Sequence, residues 1–299
     1  MAKLKCHRME ASVRQLGATR TSATAVLVAA TSLWGCFSAG LALLGSGRAG
    51  PLVALGAGIP LLVIARVRGC NPWREVSSHK RTYLQLGLLE AVNISLYAAA
   101  LAIGSAPVVV ALHLTSPIML LLLAVYTGKS PMTLRIAVEL GLLVTAIMLV
   151  AARPGAEINI ASAVLACVLA LGSAAAVTVL IILVAKESRR RDPTMSAGLQ
   201  LAVAGVLTTP LLATATWNGS RMLAESAICA ALLAPGFALY WRAVRHLQPA
   251  TVGAVGLTEA IVASALVGVL DRSQISIPIV ISGILVAAAI LLDIQDQVR

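Results

Sequence analysis

The stretch VVALHLTSPIMLLLLAV, Val109 to Val125, decides how the rest of the chain is read. It is apolar enough for a bilayer, yet it carries His113, Thr115, Ser116 and Pro117 near its middle. A copy recurs at Val252 to Gly268, VGAVGLTEAIVASALVG, with Thr258 and Glu259 in the matching places. Polar and ionisable groups are costly in hydrocarbon, so they face a cavity or a partner and mark a pathway. The remaining segments read as a scaffold around these two.

Composition sets the class. The 299 residues are 59% hydrophobic and 12% charged, with a mean hydropathy of +0.92. A soluble domain of this length has no use for so much apolar surface, whereas a bilayer core of roughly 30 Å takes about 20 apolar residues per helix. The net charge of +11 does not indicate nucleic-acid binding, because the basic residues sit in short loops between apolar runs and form no basic domain. Cys6, Cys36, Cys70, Cys167 and Cys229 are scattered, with no CxxC and no Cys/His cluster, so neither a metal site nor a disulfide framework is expected.

Ten apolar segments follow one another, at about 24–44, 50–66, 82–103, 106–127, 132–152, 159–184, 196–215, 223–244, 249–270 and 275–293. The second contains Gly56, Gly58 and Pro60, and the third and fourth are separated only by Gly104-Ser105. The first is too long for the apolar core of a cleaved signal, so residues 1–23 are expected to be a basic cytoplasmic tail. With that end inside, all but four of the 23 Lys and Arg residues fall on the cytoplasmic side. The exceptions are Arg48, Arg153, Arg221 and Arg272. Both termini are then cytoplasmic, residues 294–299 forming the second tail, and the expected place is the plasma (inner) membrane, multi-pass. Trp73, Trp217 and Trp241 lie near expected helix ends, where indoles favour the headgroup region, while Trp34 sits in the middle of the first helix.

A gapless shift of 143 residues places Tyr97 on Tyr240, Val109 on Val252 and Leu114-Thr115 on Leu257-Thr258. It carries the third to fifth segments onto the eighth to tenth. The unit is therefore five helices, 24–152 and 153–293, and an odd number gives the halves opposite orientation. Inverted five-helix repeats suit alternating access around a site at the bilayer midplane. The expected fold is all-α, integral to the membrane, with ten transmembrane helices in two inverted repeats.

Glu90, Glu139 and Glu259 stand out inside these spans. Glu90 shares a helical face with Asn93 and Tyr97, a polar stripe that requires a cavity or a polar partner. Glu139 has Arg135 one turn before it, and a local ion pair is expected there. For Glu90 and Glu259 two readings stand. One is a structural hydrogen bond; the other is a carboxyl that carries a proton or holds an ammonium group. His113 could relay protons with either, or be neutral and bonded to a backbone carbonyl. Pro117, next to Ser116, frees a carbonyl that can face a substrate. Thr31, Trp34 and Ser38 line one face of the first helix. No GxSxG, Walker, HExxH or Rossmann pattern occurs, so an enzyme is not expected and neither cofactor nor metal is called for.

The pattern resembles the drug/metabolite transporter superfamily in its ten-helix EamA-type branch, over about residues 24 to 293. The clearest piece is NISLYAAALAIGSAPVVVALHLTSPIML, Asn93 to Leu120, which is similar to the threonine/homoserine exporter subgroup. Its second copy is ALYWRAVRHLQPATVGAVGLTEAIVASALVGVL, Ala238 to Leu270. The chain departs from the family pattern at Glu259-Ala260, where an acidic-proline pair is usual. It departs again at Gly128-Lys129 and Asp271-Arg272, where a Gly-Glu step is usual. The resemblance implies a secondary transporter exporting a small polar metabolite such as an amino acid, by alternating access with proton coupling or exchange. Its substrate would sit between the third, fourth, eighth and ninth helices, beside Glu90, Asn93, Tyr97, His113, Thr115, Ser116, Pro117, Tyr240, Thr258, Glu259 and Trp34. The expected partners are that small molecule and the lipid bilayer, and the chain is expected to be a monomer or homodimer. Two alternatives remain at this level: export of lipophilic cations or drugs, and a non-transporting membrane subunit.

Overall fold

The computed structural model describes residues 21–40, 50–104, 106–128, 131–151, 160–214, 219–270 and 277–298. Residues 1–20 of the expected tail, Ser105, Lys129, the 152/153 repeat boundary, Trp217, the Asp271-Arg272 step and Arg299 lie outside the described residues. So do Arg48, Arg153 and Arg272.

Every regular element among the described residues is helical. In order they are α1 (Thr21–Gly40), α2 (Gly50–Val67), α3 (Pro72–Ser78), α4 (Lys80–Ile103), α5 (Ala106–His113), α6 (Ser116–Tyr126), α7 (Leu134–Ala151) and α8 (Ile160–Glu187). They continue with α9 (Pro193–Thr208), α10 (Gly219–Ile228), α11 (Ala234–Val244), α12 (Pro249–Gly256), α13 (Thr258–Leu270) and α14 (Ile277–Val298). Among the described residues seven helical stretches are long and apolar enough to cross a membrane, or eight if the bent pair α2–α3 counts as one. The chain is thus a multi-pass, all-α membrane protein.

Burial supports the bilayer as its solvent. α8 leaves Val164, Leu165 and Val168 more than half exposed, and α7 does the same with Met148. Yet Glu90, Glu139, Gln200 and Glu225 are buried. Apolar outside with polar groups sealed within is the arrangement that hydrocarbon favours and water opposes.

Two sequence features shape the helices near the centre. The Val109–Val125 segment breaks at Leu114–Thr115, where α5 ends and α6 starts with Pro117 in its first turn. Its copy breaks at Leu257, between α12 and α13. The two breaks, at Leu114 and Leu257, lie 143 residues apart. Between α10 and α11 the helix widens into a π turn over Cys229–Leu233, where the Ala234 N–H reaches the Cys229 carbonyl. Pro235 follows directly. It has no N–H to give, and its ring would collide with a carbonyl in a regular α turn.

Glycine brings the helices close. A Cβ on Gly58 of α2 would lie 2.8 Å from the Ala202 backbone nitrogen of α9, and one on Gly198 of α9 would lie 3.1 Å from Leu61 Cβ. α2 and α9 therefore meet backbone to backbone. α6 and α12 cross in the same way, since a Cβ on Gly253 would meet Pro117 Cα at 3.1 Å. α7 packs against α14, with the Ser282 hydroxyl donating to the Ala146 carbonyl at 3.0 Å.

Candidate functional site

The polar stripe on α4 finds its partners in other helices. The Gln200 side-chain amide of α9 donates to Glu90 Oε2 at 2.8 Å. The indole N–H of Trp241 in α11 donates to Gln200 Oε1 at 2.9 Å. The Asn93 amide donates to the other Glu90 oxygen at 3.5 Å. The Ser173 hydroxyl of α8 donates to Asn93 Oδ1 at 2.7 Å, and His113 Nδ1 lies 2.9 Å from that hydroxyl oxygen. A hydroxyl has one hydrogen, and here Asn93 receives it, so the geometry assigns the proton of His113 to Nδ1. The result is a continuous chain, Trp241–Gln200–Glu90–Asn93–Ser173–His113, joining α11, α9, α4, α8 and α5. Glu90 is 5% exposed and Gln200, Ser173 and Trp241 are fully buried. Such a network is stable only when each member is satisfied.

Aromatic rings flank this chain. Tyr97 packs on His113 with ring centroids 4.4 Å apart. Trp34 of α1 lies 4.8 Å from Phe237 and 5.1 Å from Tyr240, both on α11. The Trp34 indole N–H is buried and meets no acceptor among the described residues. Glu259, in the first turn of α13, accepts a hydrogen bond from the Ser38 hydroxyl of α1 at 2.9 Å. The carboxylates and tyrosines are crossed: Glu259 lies within electrostatic reach of Tyr97, and Glu90 of Tyr240. These two tyrosines are the pair matched by the 143-residue shift, and each lies within electrostatic reach of a carboxylate from the other half of the chain.

The breaks in the paired segments lie beside this region. Thr115 gives its hydroxyl to its own helix, at the Leu112 carbonyl, 2.6 Å away. Ser116 is buried, and its carbonyl receives the Thr178 hydroxyl of α8 at 3.4 Å. Pro117 is buried under Gly253. Thr258 opens α13, half-buried, next to Glu259. The structure therefore links Glu90 to Asn93 directly and Asn93 to His113 through Ser173, with Tyr97 packed on the His113 ring. It gathers Trp34 with Tyr240, and sets Thr115, Ser116, Pro117 and Thr258 at the helix breaks without hydrogen bonds to the chain.

Three members of the network go beyond the sequence reading. Gln200 lies in an apolar span and carries an amide there, a signal as strong as that of Asn93. Ser173 has no distinguishing signal, since hydroxyls in membrane helices usually bond their own backbone. Trp241 is corrected. It is fully buried among the helices and not presented to headgroups, with its N–H committed to Gln200. Glu225 of α10, 4% exposed, is a further buried carboxylate, within electrostatic reach of Cys229. Glu139 behaves as the sequence predicts, with Arg135 at 3.9 Å. Among the described residues no group of three His, Cys, Asp or Glu is placed to hold a metal ion.

No family model and no curated protein matches the chain. Among solved structures, one crystal structure, described only as that of a protein, is 18% identical and covers 91% of this chain and 95% of its own, with a TM-score of 0.72. At that identity the likeness bears on the fold alone, and the chain shares the helical architecture of that protein over nearly its whole length.

Proposed function

We propose that the protein is a secondary transporter of the drug/metabolite transporter type, exporting a small polar metabolite such as an amino acid by alternating access. One observation carries this reading: the buried chain from Trp241 through Glu90 to His113, placed inside a helical bundle whose outer face is apolar. Buried carboxylates are expensive in a membrane, and two of them within electrostatic reach of tyrosines of opposite halves suit proton coupling or exchange better than mere packing. The paired breaks at Leu114–Thr115 and Leu257, 143 residues apart, support two related five-helix halves of opposite orientation. On this reading ten spans cross the plasma membrane, both termini are cytoplasmic, and the protein works as a monomer or homodimer.

The test is counterflow in proteoliposomes loaded with a panel of unlabelled amino acids. Accumulation of one labelled amino acid above the protein-free control supports the reading, and none for any member of the panel removes it. A second reading, export of lipophilic cations, is favoured by the grouping of Trp34, Phe237 and Tyr240 near the carboxylates. Aromatic faces bind cations best when they converge. Resistance of an overexpressing strain to a cationic dye distinguishes it.

A further inference from the structure

The corner between α2 and α3 lies apart from the polar chain. The two helices are bent by 105°. They enclose a groove of about 400 Å³ whose walls are apolar side chains of both, among them Ile59, Val63, Val67 and Trp73. Val67 and Trp73 are 83% and 84% exposed, so this surface would be costly in water. Arg66 is the one charged residue in the wall.

The charge around the groove is one-sided. Arg66, Arg74, Lys80 and Arg81 are exposed and make no salt bridge among the described residues. The one acid in the stretch 66–81 is Glu75, whose carboxylate is committed to Arg191, Tyr83 and His79. It accepts from Tyr83 at 2.9 Å and pairs with Arg191 at 2.9 Å. The outer side of the corner is left with positive charge only, beside an apolar slot and an exposed indole. Basic residues at a membrane surface attract anionic headgroups, and indoles settle at that same depth.

We infer that this corner binds one anionic phospholipid, with an acyl chain in the α2–α3 groove and its phosphate held by Arg66 and Arg74. The slot supplies the apolar half of the ligand's recognition and the arginines the charged half. Neither half alone would select a lipid from the bulk bilayer. The inference does not depend on what the protein transports.

Native mass spectrometry of the full-length protein in detergent tests it, with dioleoylphosphatidylglycerol and dioleoylphosphatidylcholine added in turn. One phosphatidylglycerol should be retained per chain, with phosphatidylcholine at least about fivefold weaker. R66Q and R74Q should each weaken retention about fivefold. V63W, which fills the slot and keeps every charge, should weaken it as well, whereas R189Q/R190Q should not. Equal retention of the two lipids overturns the inference, as does an equal loss in R189Q/R190Q, which would mean diffuse charge. Unchanged retention in V63W overturns it too, because a headgroup site without a chain site would then be enough. The substituted residues are exposed, and unchanged melting temperatures of the variants confirm that they fold.

Discussion

The side chain of Gln200 donates to the carboxylate of Glu90 at 2.8 Å across 110 positions of the chain, and this bond ties α9 to α4 in the interior of the bundle. Gln200 also accepts from Trp241, so one amide satisfies two buried partners from two other helices. Replacing it with leucine leaves an acceptor on Glu90 and a donor on Trp241 without their bonds. The expected loss is about 3 kcal/mol of stability, since each buried group left unsatisfied costs roughly 1–3 kcal/mol. Thermal unfolding in detergent measures it. A melting temperature for Q200L within about 2 °C of the parent would show that the amide is not the link described.

The two carboxylates should separate function from folding. In E259Q the carbonyl oxygen of the new amide can still accept from Ser38, so the melting temperature should move by no more than about 2 °C. Transport in proteoliposomes should nevertheless be lost, because an amide can neither take up and release a proton nor pair with an ammonium group. E90Q should behave alike in transport but lose some stability, as its new amide N–H₂ would face the N–H₂ of Gln200 or Asn93. Wild-type transport rates in both variants would leave the carboxylates with a structural role only.

Glycines at the helix crossings should not be exchangeable. In G58A the new methyl meets the backbone nitrogen of Ala202 at 2.8 Å and the carbonyl of Gly198 at 3.2 Å, neither of which can turn aside. A cost of about 1–3 kcal/mol is expected. Gly141 in the exposed face of α7 has nothing within 4 Å, so G141A should stabilise by about 0.5–1 kcal/mol through helix propensity alone. Melting curves of the two variants, run side by side, should move in opposite directions.

At one end of the bundle Arg191 pairs with Glu187 at 2.8 Å and with Glu75 at 2.9 Å, and lies over the Tyr83 ring at 5.3 Å. It is 9% exposed, whereas its neighbours Arg189 and Arg190 are exposed. R191Q should cost about 2 kcal/mol, less than the full cost of breaking a buried pair because the two glutamates retain some solvent. R189Q should cost nothing measurable. Equal melting temperatures for R191Q and R189Q would reduce this junction to a surface feature.

The proposed topology has its own measurement. With both ends in the cytoplasm, green fluorescent protein fused to either terminus should fluoresce, and alkaline phosphatase at the same positions should stay inactive. A phosphatase signal at one end would mean an odd number of crossings.

Much of the architecture was legible before any coordinate. Seven of the ten apolar segments coincide, within the described residues, with helical stretches long enough to span, because a run of about 20 apolar residues has few other ways to satisfy its backbone in lipid. The breaks at Leu114–Thr115 and Leu257 were not legible as breaks, each segment reading as one span, although Thr115-Ser116-Pro117 marked the first as a place where a helix is loosened. On α4, the i, i+3, i+7 spacing of Glu90, Asn93 and Tyr97 placed them correctly on one face. What could not be read was who meets them. Gln200 and Ser173 come from helices far along the chain, and pairing across such distances is set by packing, not by local pattern. Trp241 misled for a physical reason. An indole near Arg242 and a helix end suits the headgroup region, and only its contact with Gln200 reveals that it is buried in protein.

The π turn at Cys229–Leu233 has a consequence for the whole second half. A turn closed five residues back holds one residue more than its α equivalent, and one residue is about 100° of rotation. Everything downstream is dialled round by that amount, and Tyr240 and Trp241 reach Trp34 and Gln200 from the new bearing. Here the chain's length is itself a specification. Removing a single residue from this turn would leave every side chain chemically intact and point two of them at the wrong neighbours.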